Sequence, residues 1–493
     1  MPAILPLVAV DRTSPKPLYR QIYEGYRDAI VDRRLEAGRQ LPSTRGLADE
    51  LRISRLPVLN AFEQLKEEGY FETRIGSGTF VAGSLPDELL RSARATPAPE
   101  ATLVQGRRAV GRRARALPPE RVAPWFTSCR GAFSVGQPPV DGFSVKIWSR
   151  LVARHSRNLD VGFHYSSPMG FASLREAVAE YLRTSRAVRC EPEQIMIVSG
   201  SQQALDLASR TLLDPGNPVW VEEPGYFGAR GALNLAGARL IPVPVDGEGM
   251  DISVGMARCP RARAVFVTPS HQFPLGVTMS ATRRLKLLDW ARRSGAWVIE
   301  DDYDSEFRYG NLPIGALQGL DRDARVIYIG TFSKILFPGL RLGYIVMPAD
   351  LVEDFIKIRR AMDMFSSTFH QAVLADFIRE GHFGRHIRRA RLSCRERRSA
   401  LVDAIREELG DTLHVVGDEA GMYLTAILPR GARDRKISEH AARSGLWAAP
   451  LSDCYLGKVR RQGLLLGFGG ISVEEIEVGV RRLRNAIRVS LTV

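Results

Sequence analysis

From Trp125 onward, short apolar segments of strand length alternate with amphipathic segments of helix length, and the apolar segments run into polar clusters. Residues 195–198 lead into Ser199-Gly200-Ser201-Gln202-Gln203, and residues 218–221 into Glu222-Glu223-Pro224-Gly225-Tyr226. Residues 297–299 lead into Glu300-Asp301-Asp302-Tyr303-Asp304, and residues 325–330 into Thr331-Phe332-Ser333-Lys334. Residues 264–267 read as a further core strand, and helical periodicity occupies 171–183, 204–213 and 285–294. Alternation on this scale predicts an α/β domain around a mostly parallel sheet. Such a sheet places its ligand site beyond the carboxyl ends of its strands, which is where the polar clusters fall.

Lys334 is the residue that most needs a reason. It sits on a tight connection between two core strands, 325–330 and 342–347, with Pro338-Gly339 turning the chain before Arg341. A lysine there is costly unless it is exposed, paired or used covalently. Its own stretch fits a solvated loop lysine equally well, but the other clusters supply partners for a covalent role. Ser201 and Gln202 open a helix whose N-terminus favours an anion, and Arg341 can grip the same phosphate. Asp301 can pair with a protonated heterocycle nitrogen, Tyr303 can hydrogen-bond a phenolate, and Tyr226 can stack on a flat ring. These are the parts that pyridoxal 5'-phosphate needs to bind as a Schiff base, with Lys334 as the catalytic lysine and Ser333 beside it.

The N-terminal 83 residues have a different pattern. A helix over residues 17–35 carries Leu18, Ile22, Tyr26 and Ile30 on one face, with Gly38 as its stop. Ser43 is placed to cap a short second helix, and Ser54 a third that tolerates Pro57 in its first turn. Val58, Ala61, Phe62 and Leu65 face inward on the third helix, leaving Arg55, Asn60 and Gln64 outward. Residues 70–74 and 79–81 then form a hairpin around Gly76-Ser77-Gly78. Three helices and a β-wing describe a winged helix-turn-helix, an α+β unit that binds double-stranded DNA. Its candidate DNA contacts are Ser43, Arg45, Ser54, Arg55, Asn60 and Gly78, with the two arginines at helix N-termini.

Charge alone does not locate that contact. The chain of 493 residues has a net charge of +14, yet residues 1–83 hold 12 Lys+Arg against 11 Asp+Glu. The length implies two or three domains. Residues 84–124, rich in Ala, Pro and Arg, bury too little to order themselves and read as a flexible basic linker. Residues 125–493 form the effector domain. The apolar runs are of strand length, no signal peptide is recognised, and five scattered cysteines contain no C-x-x-C pair. A cytoplasmic protein outside the membrane is therefore expected. No H-E-x-x-H or Cys/His cluster points to a metal.

The ordered elements L-P-S-T-R, S-R and E-G-Y…G-S-G-T-F-V resemble the GntR family of bacterial regulators over residues 15–81. The runs T-P-S-H-Q-F-P-L-G (268–276), E-D-D-Y-D-S-E-F-R-Y (300–309) and T-F-S-K…P-G-L-R-L-G-Y (331–344) resemble the fold type I aminotransferase-like domain of MocR/GabR-type regulators. The resemblance implies a transferase fold with a large mostly parallel sheet and a small C-terminal α+β subdomain. It implies Lys334 as the aldimine lysine, Asp301 as pyridine partner and Tyr303 as phenolate partner. It further implies Arg341 and Ser201 as phosphate contacts, Tyr226 as the stacking ring, and His271 or Gln272 as a further polar contact. A homodimer is also implied. The function expected is a transcription regulator that senses pyridoxal phosphate or an amine or amino-acid effector; an active aminotransferase carrying a DNA-binding domain is the alternative.

Three departures bear on that choice. Leu56-Pro57 replaces the polar residue and threonine usual in the GntR helix-turn-helix. Residues 449–455 hold no arginine where aminotransferases of this fold bind a substrate carboxylate, and Arg460-Arg461 read as an exposed pair. Tyr423 stands where these regulators often carry histidine. The basic helix beginning at His382 reads as a solvated face, with DNA wrapping as the other possibility.

Overall fold

The computed structural model describes residues 8–74, 76–83, 131–157, 164–310 and 315–491, together with Gly111, Arg113 and Arg115. The chain divides into two compact units, Met1–Ala109 and Val110–Val493. Most of the segment read as a linker, 84–124, lies outside the described residues. Within the second unit, Arg113 donates from Nη1 to the Leu235 carbonyl at 3.3 Å.

In the first unit, α1 (Leu18–Val31), α2 (Thr44–Glu50) and α3 (Arg55–Glu67) precede a hairpin of β1 (Phe71–Arg74) and β2 (Gly78–Val81). Ile22, Tyr26, Leu47, Val58, Phe62, Leu65, Phe71 and Val81 form one buried cluster. At its centre Tyr26, Phe62 and Phe71 meet edge to face, with ring centroids 5.0–5.7 Å apart, a geometry that adds to plain area burial. The first helix stops at Val31, short of the expected end at 35. Arg33 takes a positive φ of 58°, and Leu35 folds back into the core. Gly38 instead donates its N–H to the Val81 carbonyl at 2.9 Å, tying the chain to the wing.

The second unit is built on an eight-stranded sheet. Its strands are β3 (Ile195–Val198), β4 (Pro218–Glu223), β5 (Arg239–Asp246), β6 (Gly249–Met250), β7 (Ala264–Val267), β8 (Trp297–Asp302), β9 (Val326–Thr331) and β10 (Gly343–Val346). Their order is β3-β10-β9-β8-β7-β4-β5-β6. Strands β5, β4, β7, β8 and β9 pair in parallel, whereas β10 runs antiparallel between β9 and β3. Strands β3, β7, β8, β9 and β10 are buried at every residue, as expected of a sheet covered by helices on both faces. Cluster-bearing loops after β3, β4, β7, β8 and β9 therefore emerge at one end of the sheet. A second, antiparallel sheet follows, β11 (His414–Val416), β12 (Tyr423–Ile427), β14 (Gly463–Gly467) and β13 (Ala449–Pro450), packed with the long helices His382–Leu409 and Val473–Leu491. Among the described residues no helix is long and apolar enough to cross a membrane.

Candidate functional site

Lys334 lies three residues beyond β9, on the connection that returns as β10. It is half-buried, and its Nζ donates to the Gly136 carbonyl at 3.1 Å. Burial lowers its ammonium below the ordinary lysine value; Asp304 opposes this, Arg341 reinforces it, and Asp301 opposes it again. A lysine held that way presents more free amine at neutral pH, the form that attacks a carbonyl.

Asp301 faces the same space. Strand β8 continues through Asp302, so the two carboxylates alternate across the sheet. Asp302 accepts from Arg186 Nε at 2.9 Å and from the Tyr328 hydroxyl at 2.5 Å on the far side. Asp301 Oδ1 is buried without a hydrogen-bond partner. Burial pushes its carboxyl up to about 8, with Asp302, Asp304 and Glu222 adding to the rise and Lys334 opposing it. Leaving such a group unpaired costs about 1–3 kcal/mol, which a cationic ring nitrogen would remove. Asp302 Oδ1 is unpartnered too, but its Oδ2 is taken by Arg186 and Tyr328, so of the two carboxylates Asp301 is the one on the Lys334 side with no such bond.

An anion cradle lies beside them. The helix Ser201–Leu212 starts at Gly200 with no side-chain cap, so its first amides are left to a ligand. Arg341 reaches this N-terminus and donates from Nη2 to the Ser199 carbonyl at 2.9 Å. Gly200, at φ 92°, is needed there, because a Cβ would stand 3.1 Å from the Arg341 guanidinium. Ser333 Oγ is also buried and unpartnered. Tyr226, at the start of the helix Phe227–Ala236, sits within electrostatic range of both Asp301 and Arg341 and is pushed to about 12, chiefly by burial.

Two expected contacts take other forms. The Gln202 side chain donates to the Gly228 carbonyl at 2.9 Å, leaving its backbone amide as the group that can meet an anion. The Gln272 carboxamide is spent on its own loop and the loop after β4: Nε2 donates to the Pro224 and Phe273 carbonyls at 2.9 and 2.5 Å, and Oε1 accepts from Leu275 N at 3.0 Å. Gln272 braces the loop and is not turned to a ligand. Its neighbour His271 is the one in the site, with Nδ1 3.1 Å from the Tyr303 hydroxyl and 2.9 Å from Asp304 Oδ2. Tyr303 also lies 3.1 Å from the Tyr423 hydroxyl on β12. Burial raises both phenols well above their ordinary value.

The segment that lacks the carboxylate arginine is packed inward at Leu451, Asp453 and Cys454, while Arg460 and Arg461 are exposed. In the helix His382–Leu409, Arg391 donates to the Glu306 carbonyl, Arg395 to Tyr309, Arg397 to Gly469 and Asp141, and Arg398 to Asp418. Those four arginines staple the helix to its surroundings; Arg388 and Arg389 are exposed.

In the first unit, Ser43 Oγ accepts from Gly46 N at 3.0 Å and caps α2 as expected. Ser54 occupies the corresponding place on α3, but its hydroxyl makes no cap bond. Arg55 Nε instead donates to Thr44 Oγ1 at 3.1 Å, joining the starts of α2 and α3. Ser43, Arg45, Ser54, Arg55, Asn60 and Gly78 are all exposed. Leu56, in place of the usual polar residue, is exposed too.

Residues 18–81 match the family described as bacterial regulatory proteins, gntR family, and residues 133–482 match aminotransferase class I and II. The chain is 40% identical over 97% of its length, and 96% of the relative's, to the probable rhizopine catabolism regulatory protein MocR of Rhizobium meliloti. The chain belongs to the MocR-type branch of the GntR-family regulators. It is likewise 30% identical to the pyridoxine biosynthesis regulator PdxR of Corynebacterium glutamicum, covering 97% of this chain and 98% of that one. Among solved structures it resembles the α-aminoadipate aminotransferase LysN of Thermus thermophilus, complexed with N-(5'-phosphopyridoxyl)-L-leucine. The TM-score is 0.72 at 29% identity, covering 78% of this chain and 98% of that one. As a MocR-type regulator, the chain pairs a DNA-binding helix-turn-helix domain with an aminotransferase-like domain of a class that uses pyridoxal phosphate.

Proposed function

We propose that this MocR-type regulator holds pyridoxal phosphate on Lys334 and that occupancy of this site controls its binding to DNA. The carrying observation is the unpartnered, buried Asp301 Oδ1 facing Lys334 across a space flanked by Arg341 and an uncapped helix N-terminus. Each of these groups has a counterpart on the cofactor: Lys334 for its aldehyde, Asp301 for its ring nitrogen, and Tyr303 for its ring oxygen. Arg341, Ser201 and the first amides of the helix Ser201–Leu212 fit its phosphate, and Tyr226 its ring face. When bound, the cofactor supplies a carbonyl that exchanges one amine for another.

The protein's residues do the rest. Lys334 presents its amine, Asp301 keeps a proton on the ring nitrogen, and Arg341 fixes the phosphate end. Among the described residues, Asp304, Arg341 and Asp301 are the charges that act most on Lys334. With Arg341 read as the phosphate contact, residues 449–455 offer no arginine for an effector's carboxylate. The effector is accordingly pyridoxal phosphate itself or an amine without an α-carboxylate, bound to a homodimer that reads paired half-sites on DNA.

Borohydride reduction of the loaded protein, followed by peptide mass analysis, tests the anchor: a phosphopyridoxyl adduct on Lys334 is expected. DNA affinity measured with and without pyridoxal phosphate, on wild type and Lys334→Ala, tests the control. Equal affinity in all four cases overturns the sensing role, and multiple turnovers with an amino donor and a keto acid would make the domain an enzyme.

A further inference from the structure

His271 and Asp304 form a buried pair, each about 1% exposed, that the cofactor reading leaves without a task. Nδ1 of His271 lies 2.9 and 3.1 Å from the two Asp304 oxygens and 3.1 Å from the Tyr303 hydroxyl. Burial raises the Asp304 carboxyl while His271 holds it down; in its ionised form it only accepts, and the hydrogen in this contact then belongs to Nδ1. Tyr303 then cannot donate to Nδ1; its oxygen can only accept there, and its own hydrogen must point away. One acceptor is in reach, the Tyr423 oxygen at 3.1 Å; in the cofactor reading the ring oxygen would be the other. The backbone is shaped around the pair. A Cβ on Gly421, at φ 78°, would fall 2.1 Å from His271 Cε1 and 2.7 Å from Asp304 Oδ2.

We propose that His271, held by Asp304, is a positioning residue that turns the Tyr303 hydroxyl hydrogen toward the ligand, with Tyr423 as its resting acceptor. This rests on the pyridoxal phosphate reading above. It gives Tyr303 a fixed donor sense and connects that sense to β12, which carries Tyr423.

The visible absorbance of the loaded full-length protein, titrated with pH, is the test. A hydrogen bond donated to the ring oxygen stabilises negative charge there and weakens its hold on the proton of the lysine nitrogen. Losing the bond therefore moves the titration midpoint up. The other charged groups facing this nitrogen are Asp301, Asp304 and Arg341, and those facing Tyr303 are Asp304, Tyr423 and Asp301; all are retained in the variants used. Tyr303→Phe should raise the midpoint by about one pH unit, the size of one ordinary hydrogen bond. His271→Ala should shift it in the same direction, and the double variant no further than Tyr303→Phe alone. His271→Asn, which keeps a short donor, should stay near wild type and guards against loss of folding in His271→Ala. An unchanged midpoint in His271→Ala, or a shift that adds in full to that of Tyr303→Phe, overturns the proposal. Absence of any lysine-linked absorbance in wild type would instead overturn the cofactor reading beneath it.

Discussion

Asp301 and Asp302 are neighbours in β8 with different fates: Asp302 Oδ2 accepts from Arg186 and Tyr328 while its Oδ1 has no partner, and Asp301, on the Lys334 side, has its Oδ1 buried without one. The alternation of a strand assigns one carboxylate to the scaffold and the other to the site.

That assignment has a pH consequence. The folded-state value of Asp301, about 8, lies above that of an unfolded aspartate. Its contribution to stability is therefore fully present below about pH 4 and is lost as pH rises through about 8. Asp301→Asn should melt higher than wild type at pH 8 without cofactor, with the advantage vanishing near pH 4. The same variant should bind pyridoxal phosphate more weakly. Melting curves across this range, with and without the cofactor, check both signs.

In the proposed reading Arg341, which reaches the N-terminus of the helix Ser201–Leu212, takes the phosphate end. Removing a hydrogen bond to a charged group costs about 1.5–3 kcal/mol, or roughly 10- to 150-fold in affinity. Arg341→Ala should lose about this much for pyridoxal phosphate and little for pyridoxal, which lacks the phosphate. Paired absorbance titrations with the two aldehydes would expose an equal loss for both, which would place Arg341 elsewhere.

The DNA contacts expected of the helix-turn-helix divide by type. Arg45 and Arg55 are exposed near helix starts. Replacing either with alanine should weaken binding to all sequences similarly and reduce the salt slope by about 1. Asn60→Ala, on the outward face of α3, should relax sequence preference with the slope kept. Binding isotherms at several salt concentrations on specific and random duplexes separate the two outcomes.

Much of the site is legible in the residues because a buried strand followed by Ser-Gly-Ser, Asp or Lys is a local pattern. The sheet then brings the ends of β3, β4, β8 and β9 together. Local pattern does not say where β8 ends, so Asp301 and Asp302 are interchangeable until the strand is seen to run through both. Gln272 escapes sequence reasoning because its carboxamide answers to Pro224 and Glu222, some fifty residues earlier. The pairing of Tyr303 with Tyr423 joins separate sheets and has no sequence signature. Ser54 has the residue type and place of a helix cap, yet its hydroxyl is not used as one.

Strand β10 runs backward between β9 and β3, so Lys334 and Arg341 sit at the two ends of one short hairpin connection. The lysine that would take the aldehyde and the arginine that would take the phosphate thus ride on one connection, whose returning strand β10 is hydrogen-bonded on both sides. A molecule offering only one of those groups leaves half of the grip idle. In the proposed reading the connection would act as a coincidence detector, answering to an aldehyde and an anion presented together.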